Sequence, residues 1–154
     1  MTEARQNPPM EIRTPRPDDY PRLAELAGQL GYPSTKDDIA RRIADLDANS
    51  TYAIFLAEHQ TKPAEIAGWV CIVTRGTLES DLFAEITGFI VDGRYRSQKV
   101  GEQLLARAEN WAQEQGIDAV RLRSNVTRDR AHAFYLRHGY EHHKTQKAFR
   151  KIFK

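Results

Sequence analysis

Cysteine is nearly absent: Cys71 is the single one in 154 residues. No internal disulfide can brace the chain, and a lone thiol inside the apolar run Ile66 to Val73 reads as a buried structural residue. Long hydrophobic runs are also missing. Nothing approaches the ~20 apolar residues of a membrane span, and the N-terminal MTEARQNPPM has no apolar core of a secretory signal. Charge of one sign is not in excess either. A formal net charge of +2 excludes a polyelectrolyte binder as a reading of the whole chain. There is no internal repeat and no low-complexity tract. What remains is ordinary composition, with 40% apolar and 29% charged residues, enough for one domain with one core. The compartment expected from these features is the cytoplasm.

The patterning predicts alternating strands and helices. Residues 1–9 are polar, end in Pro8-Pro9 and read as a loose tail. Met10 to Thr14 alternates as a strand. Asp18 is placed to cap a helix whose apolar face is Leu23, Leu26, Ala27 and Leu30, with Gly31 as its stop. Ser34 to Asp37 opens a second helix carrying Ile39, Ile43 and Leu46 on one side. Thr51 to Glu58 and Glu65 to Thr74 read as an antiparallel pair around a polar turn at His59 to Pro63. Phe83 to Val91 follows as a third strand. Gly88 inside it marks a bulge or a close approach to the backbone. A long helix runs from about Val100 to Gln115, with Val100, Leu104, Leu105, Ala108, Trp111 and Ala112 on its face. Ala119 to Arg123 is a further strand, Arg130 to Arg137 a short helix, and Tyr140 to Phe153 the last strand or strand pair. The resulting order, β-α-α-β-β-β-α-β-α-β, is that of a mixed α/β domain over residues 10–154.

One stretch carries chemistry. In FIVDGRYRSQKVGEQLL, residues 89–105, a strand feeds a basic loop and the loop opens a helix at Gly101. The first N–H groups of a helix lack internal partners, and its dipole favours negative charge there. Arg96 and Lys99 add cations, Ser97 and Gln98 add donors, and Gly101 permits close backbone approach. Together they suit a pyrophosphate. This arrangement resembles the GNAT superfamily of N-acetyltransferases. The residues that carry the likeness are Glu85-Ile86, Val91, Arg96-Ser97-Gln98-Lys99-Val100-Gly101 and Leu104-Leu105. Farther on, Ala131-His132-Ala133-Phe134-Tyr135-Leu136-Arg137-His138-Gly139-Tyr140 resembles the family's Ala-x-x-Phe/Leu-Tyr-x-x-x-Gly-Phe/Tyr segment. Two positions depart from the pattern. Lys99 stands where the family usually has the first glycine of the loop, and would be strained wherever φ must be positive. Arg128 stands where an Asn commonly precedes the second segment.

The resemblance implies a mostly antiparallel sheet flanked by helices, with a splayed strand pair forming a cleft for acetyl-coenzyme A. It implies that the pantetheine arm adds to the strand edge at Phe89, Ile90 and Val91. The phosphates would lie at Arg96, Ser97, Gln98, Lys99, Val100, Gly101 and Glu102, with Arg128 and Phe134 also toward the cofactor. A bulge at Gly88 would free a backbone donor for the oxyanion of a tetrahedral intermediate. The attacking amine must be neutral although an alkylammonium has a pKa of about 10, and the leaving thiolate, about 8.5 as a free thiol, needs a proton. Tyr135 sits at the position of the family's catalytic tyrosine and is the expected acid. Glu85 is the expected base, acting through a water. An unbulged strand would place residues 85, 87, 89 and 91 on one face; a bulge breaks that parity.

Other signals are weaker. His132, His138, His142 and His143 cluster in the sequence, but Gly139 interrupts them, and solvated histidines are expected rather than a metal site. The C-terminal third is basic. Arg121, Arg123, Arg128, Arg130 and Arg137 belong to it, a bias explained in part by the cofactor phosphates and only weakly suggestive of nucleic acid. Asp18, Asp19, Asp37, Asp38, Asp45 and Asp47 serve caps and solvated faces, though an acidic mouth would suit a cationic acceptor. The expected function is therefore transfer of acetyl from acetyl-coenzyme A to an amine of a small molecule or peptide, by direct attack. The alternative is a non-catalytic sensor of acetyl-coenzyme A. No membrane partner is expected, and a homodimer is left open.

Overall fold

The computed structural model describes residues 10–60, 65–96 and 98–154. The expected tail 1–9, part of the His59 to Pro63 turn, and Ser97 lie outside the described residues. The chain forms two compact units, one through Leu122 and a second from Arg123 to Lys154.

The first unit is a five-stranded sheet in the order β1-β2-β3-β4-β5. Its strands are β1 (Met10–Arg13), β2 (Tyr52–His59), β3 (Ile66–Arg75), β4 (Phe83–Val91) and β5 (Val120–Leu122). Neighbours pair antiparallel from β1 to β4, and β5 lies parallel to β4. Direct connections between consecutive strands explain the pairing of β2, β3 and β4, while β1 reaches β2 after the two intervening helices. The parallel fifth strand requires a crossover, which the helix α3 (Val100–Glu114) supplies. Before the second strand come α1 (Tyr20–Leu30) and α2 (Lys36–Asn49).

Cross-strand register sorts the residues onto two faces. Trp69, Cys71 and Val73 of β3 share a face with Leu56 and Ile54 of β2 and with Ile90 of β4. This face packs on α1: Leu23, Leu26, Leu56, Ile66 and Ile90 form one buried cluster, with Tyr20, Leu30, Ile39 and Trp69 against it. The opposite face, with Phe55, Val70 and Ile72, takes α3. All six residues of the predicted α3 stripe, Val100, Leu104, Leu105, Ala108, Trp111 and Ala112, are buried. Each fully buried Leu or Val contributes roughly 1.5–3 kcal/mol through removal of its apolar surface from water.

Local chemistry fixes the helix ends. Thr35 and Asp38 cap α2 reciprocally, Asp38 N–H donating to Thr35 Oγ1 at 3.1 Å and Thr35 N–H to Asp38 Oδ2 at 2.9 Å. Gly31 ends α1 with φ +102, a left-handed conformation that a side chain would strain. The expected cap at Asp18 is not formed. A short 3-10 turn, Pro17–Asp19, precedes α1 instead, and Asp19 is the engaged carboxylate. It is buried, accepts from Arg16 N–H at 2.6 Å, and takes two bonds from the Arg13 guanidinium at 2.8 and 3.0 Å. The Arg13 bonds hold its carboxyl below the usual range against the opposing effect of burial.

The second unit contains α4 (Asp129–Arg137), followed by Gly139 at φ +90. The strand expected over Tyr140 to Phe153 is not formed: residues 140–154 carry neither helix nor strand. A place in the element order alone does not make a strand. It needs a ladder partner and a face to bury, and Phe149, Ile152 and Phe153 stay exposed, at 91%, 74% and 85%.

Candidate active site

The site is built around an irregularity in β4. Trp69 pairs with Ile90, Val70 with Phe89 and Cys71 with Gly88, but Ile72 pairs with Ile86. Thr87 is the extra residue, so β4 carries a bulge there. The sequence pointed to Gly88; the bulge sits one residue earlier, and Gly88 serves its neighbour. A Cβ on Gly88 would lie 2.6 Å from Cζ3 and 2.8 Å from Cη2 of Trp69. The indole therefore lies directly on the Gly88 backbone.

The bulge also decides where Glu85 stands. Glu85 pairs with Val73, which places it on the face of Trp69, Cys71 and Gly88. On an unbulged strand it would share the α3 face with Phe89 and Val91. Its carboxylate is mostly buried, with the Arg75 guanidinium 3.5 Å away.

The ladder between β4 and β5 runs from Ala84↔Val120 to Ile86↔Leu122 and ends there. Thr87 to Val91 continue beyond it. β5 itself ends at Leu122, and Phe89, Ile90 and Val91 lie on the segment of β4 that continues past it, the stretch where the resemblance implies a splayed strand pair. Downstream, Asp92 is almost fully buried and organises the loop. It accepts from Arg94 N–H at 2.9 Å, from Arg94 Nε at 3.3 Å and from Arg22 Nη2 at 2.5 Å. Burial opposes its ionisation, but Arg94 and Arg22 outweigh burial and hold the carboxyl well below the usual range. Arg22 also donates to the carbonyl of Ile66 at 3.1 Å, so α1, β3 and the loop are tied together. Tyr95 is buried and its hydroxyl donates to Glu65. Burial first, and this bond second, push the phenol up to about 12.

The loop then enters α3 through Lys99, at φ 61 and ψ 17. Lys99 is the one non-glycine residue with positive φ among the described residues. The helix start has no side-chain cap, leaving its first N–H groups for a ligand. Arg96 and Lys99 are exposed beside it, and Gln98 is partly exposed, its amide donating to the Arg94 carbonyl at 3.4 Å. Val100 is buried in the core rather than presented to the loop; Gly101 and Glu102 follow in the first turn. Cations, uncapped N–H groups and a left-handed turn fit an anionic pyrophosphate.

On the other side of the bulge lies open space. A cleft of about 540 Å³ is lined by Leu30, Tyr32, Ser34, Arg42, Trp69, Thr87 and Gly88, among others. Adjoining it, an apolar pocket of about 190 Å³ is lined by Leu23, Ile39, Arg42, Ile43, Leu46, Ile54, Trp69, Cys71, Thr87 and Gly88. The half-buried stripe of α2, Ile39, Ile43 and Leu46, is thus partly a pocket wall. Cys71 is buried as expected. Burial pushes its thiol up, and a bond with Thr87 opposes that. Sequence reasoning missed Thr87, Trp69, Arg42, Arg22 and Asp92. Only Trp69 carried a signal, as a large aromatic in the strand before the glycine that makes room for it.

Tyr135, Phe134 and Arg128 belong to the second unit. The Tyr135 ring makes edge contacts with Phe134, centroids 5.5 Å apart, and Tyr140, 5.8 Å apart. Burial raises the pKa of its phenol, and nearby Arg128 works in the opposite sense. At neutral pH it therefore retains the proton an acid must give. Arg128 is exposed at the start of α4 and makes no side-chain cap.

Comparison with known proteins agrees with this geometry. Residues 17–140 match the Acetyltransferase (GNAT) family. The chain belongs to the GNAT family and is an acetyltransferase. Among its relatives is the aminoalkylphosphonate N-acetyltransferase of Salmonella typhimurium, 33% identical over 117 residues, which span 75% of this chain and 71% of that protein. Among solved structures, glucosamine-6-phosphate N-acetyltransferase from Arabidopsis thaliana superposes with a TM-score of 0.75 at 20% identity, over 95% of this chain and 99% of the other. The enzyme AAC(6')-Iy, in complex with the bisubstrate analogue CoA-S-monomethyl-acetylneamine, gives a TM-score of 0.76 at 19% identity, over 94% and 99%. At such identities these structures establish the shared fold.

Proposed function

We propose that this protein transfers the acetyl group of acetyl-coenzyme A directly to a primary amine of a small molecule or peptide, in the cytoplasm. The observation that carries the reading is the Thr87 bulge. It lies where β5 pairing ends and directly upstream of a basic loop entering an uncapped helix. Phe89, Ile90 and Val91 hold the pantetheine arm along β4. Arg96, Ser97, Gln98, Lys99, Gly101 and Glu102 surround the phosphates, with N–H donors of the first turn supplying most of the contact. Val100 anchors that turn in the core. Arg128 and Phe134 are assigned to the cofactor on the family resemblance.

The acceptor enters through the cleft beside Trp69. Its ammonium, pKa about 10 in water, loses a proton to Glu85 through a water. A backbone N–H freed at the bulge donates to the carbonyl oxygen as negative charge develops there, and Tyr135 gives its proton to the departing sulfur. Support for these roles comes from the side of the sheet on which Glu85 stands and from the protonated state that burial enforces on Tyr135. The relative that acts on aminoalkylphosphonates makes small amino acids and aminophosphonates the first acceptors to try.

The test is thiol release from acetyl-coenzyme A across an amine library, with thermal unfolding at millimolar cofactor. Turnover together with a raised Tm supports the enzyme. A raised Tm without turnover on any amine leaves a sensor, and an unchanged Tm rejects the cofactor site. Glu85→Gln sharpens the assignment. Its loss of kcat/KM is expected to be greatest at low pH, where more acceptor is protonated, and least at high pH. A pH-independent loss would remove Glu85 as base.

A further inference from the structure

Arg42 occupies an unusual position for an exposed helical arginine. It lines both the 540 Å³ cleft and the 190 Å³ apolar pocket, facing the Thr87–Gly88 bulge across them. Its guanidinium donates to Ser34 Oγ at 2.9 Å, and among the described residues it has no carboxylate partner. Neither space has an Asp or Glu in its described lining. None of the acidic residues at α1 and α2 that suggested a mouth for cations lines either space, and three of the six are engaged elsewhere. Asp19 is held by Arg13, Asp38 by Thr35 and Arg41, and Asp47 by the Tyr52 hydroxyl. Among the described residues that line the two spaces, Arg42 is therefore the one charged side chain.

We infer that Arg42 is the specificity-determining anchor for the acceptor's anionic end, and that the acceptor class is a short aliphatic amine ending in a carboxylate or phosphonate. This rests on the acetyltransferase reading of the same site. A guanidinium presents up to five donors in a planar fork that matches either oxyanion. Trp69, Ile39, Ile43 and Leu46 receive the aliphatic spacer, while the amine points to the bulge where the acetyl carbonyl is held. The smaller pocket lies below the ~300 Å³ at which drug-sized ligands begin to fit, so the part of the acceptor it receives has few heavy atoms. A diamine or polyamine would set a second ammonium against Arg42 with no carboxylate in the lining to neutralise it, and like charges at that range repel.

The experiment compares 2-aminoethylphosphonate, 3-aminopropanoate, ethanolamine and 1,3-diaminopropane as acceptors by thiol release. It uses wild type, Arg42→Gln, Arg42→Lys and the control Arg41→Gln. Arg41 is paired with Asp38 and lines neither space. Wild type should favour the two anionic amines, and their ratio to each other tells phosphonate from carboxylate. Arg42→Gln should raise KM for anionic amines about ten- to hundredfold, the loss of a charge-assisted hydrogen bond, with a small effect on kcat. The preference for anionic over neutral amine should fall by the same factor. Arg42→Lys should recover part of it, and Arg41→Gln should leave it unchanged. Equal efficiency with the diamine, or an Arg42→Gln loss identical for neutral and anionic amines, would overturn the inference while leaving acetyl transfer standing. Turnover only on large or peptide amines would do the same. Absence of thiol release with every amine, together with no acetyl-coenzyme A stabilisation, would overturn the acetyltransferase reading and this inference with it.

Discussion

Replacing Gly88 with alanine is the most direct probe of the bulge. The new methyl would sit 2.6 and 2.8 Å from two atoms of the Trp69 six-membered ring, where carbon–carbon contacts optimally fall at about 3.5–4.0 Å. The ring must retreat by roughly 1 Å. It cannot retreat inward, because it packs on the buried cluster of Leu23, Leu26, Leu56, Ile66 and Ile90. Its remaining direction is into the acceptor cleft. Overpacking of this kind costs about 1–3 kcal/mol. Against it stands the lower unfolded-state entropy of alanine, worth about 0.4–1 kcal/mol. The clash wins, with a net loss of about 1–2 kcal/mol and a Tm lowered by roughly 2–8 °C for a chain of this size. Acceptor KM should rise as the ring enters the cleft, while acetyl-coenzyme A stabilisation persists. Differential scanning calorimetry and steady-state kinetics read both. Trp69→Leu in the same chain removes the obstructing ring, so the double variant should be less damaged than the sum of the singles. A Gly88→Ala protein with unchanged Tm and KM, or strictly additive variants, would refute the packing argument.

Lys99→Gly relieves a left-handed backbone at a position with no side-chain cap and should stabilise by about 1 kcal/mol, read as a higher urea midpoint. Asp92→Asn should destabilise by roughly 2–4 kcal/mol at pH 7, because Arg22 is left partly buried without its anion. The Asp92 pKa is lowered in the fold, so its contribution is full above the unfolded value near 3.9 and falls as pH drops below it. Urea midpoints of wild type and Asp92→Asn should therefore converge on acidification from pH 7 to 3. Tyr135→Phe keeps the ring contacts with Phe134 and Tyr140 and removes only the proton donor. It should lower kcat about 10²–10⁴-fold while the thermal shift with acetyl-coenzyme A stays.

Most elements were legible because their residues report locally. The apolar stripe of α3, the glycine closing α1, and the alternation of β2, β3 and β4 each rest on spacing within one element. The strain at Lys99 was legible for the same reason: a lysine stood where the loop's pattern requires a positive φ. Pairings at a distance were not. Arg22 and Asp92 lie far apart in sequence, and nothing in either neighbourhood names the other. The acidic residues at α1 and α2 read mainly as caps and solvated faces, and none of them lines the cleft. Arg42, among charged residues on a helix, drew no reading at all. The strand expected at Tyr140 to Phe153 failed in the opposite way. Residues 140–154 form none: the segment is polar from Glu141 to Lys147, and a ladder depends on a partner that a place in the element order does not specify.

The bulge shows how one residue can reset a site. Above Thr87 the β3–β4 register is that of Cys71↔Gly88; below it, that of Ile72↔Ile86. Were Thr87 instead drawn into a regular ladder, it would oppose Ile72, Ile86 would oppose Val73, and Glu85 would move opposite Thr74, onto the face that packs on α3. Its carboxylate would then stand on the opposite side of the sheet from Trp69 and Cys71. A period of two makes this change all-or-none. The same irregularity lies next to the last β4–β5 pair, Ile86↔Leu122, so the point that sets the face of Glu85 is also where pairing with β5 ends. Gly88 then accepts the Trp69 ring on the strand where a side chain would have excluded it. The face on which Glu85 stands depends on keeping Thr87 out of the ladder, and the room for the Trp69 ring depends on Gly88. A deletion of Thr87 would straighten the strand with Gly88 still opposite Cys71 and Glu85 still opposite Val73, so it should leave Glu85 on its present face, whereas a change that drew Thr87 into the ladder should turn Glu85 to the α3 side.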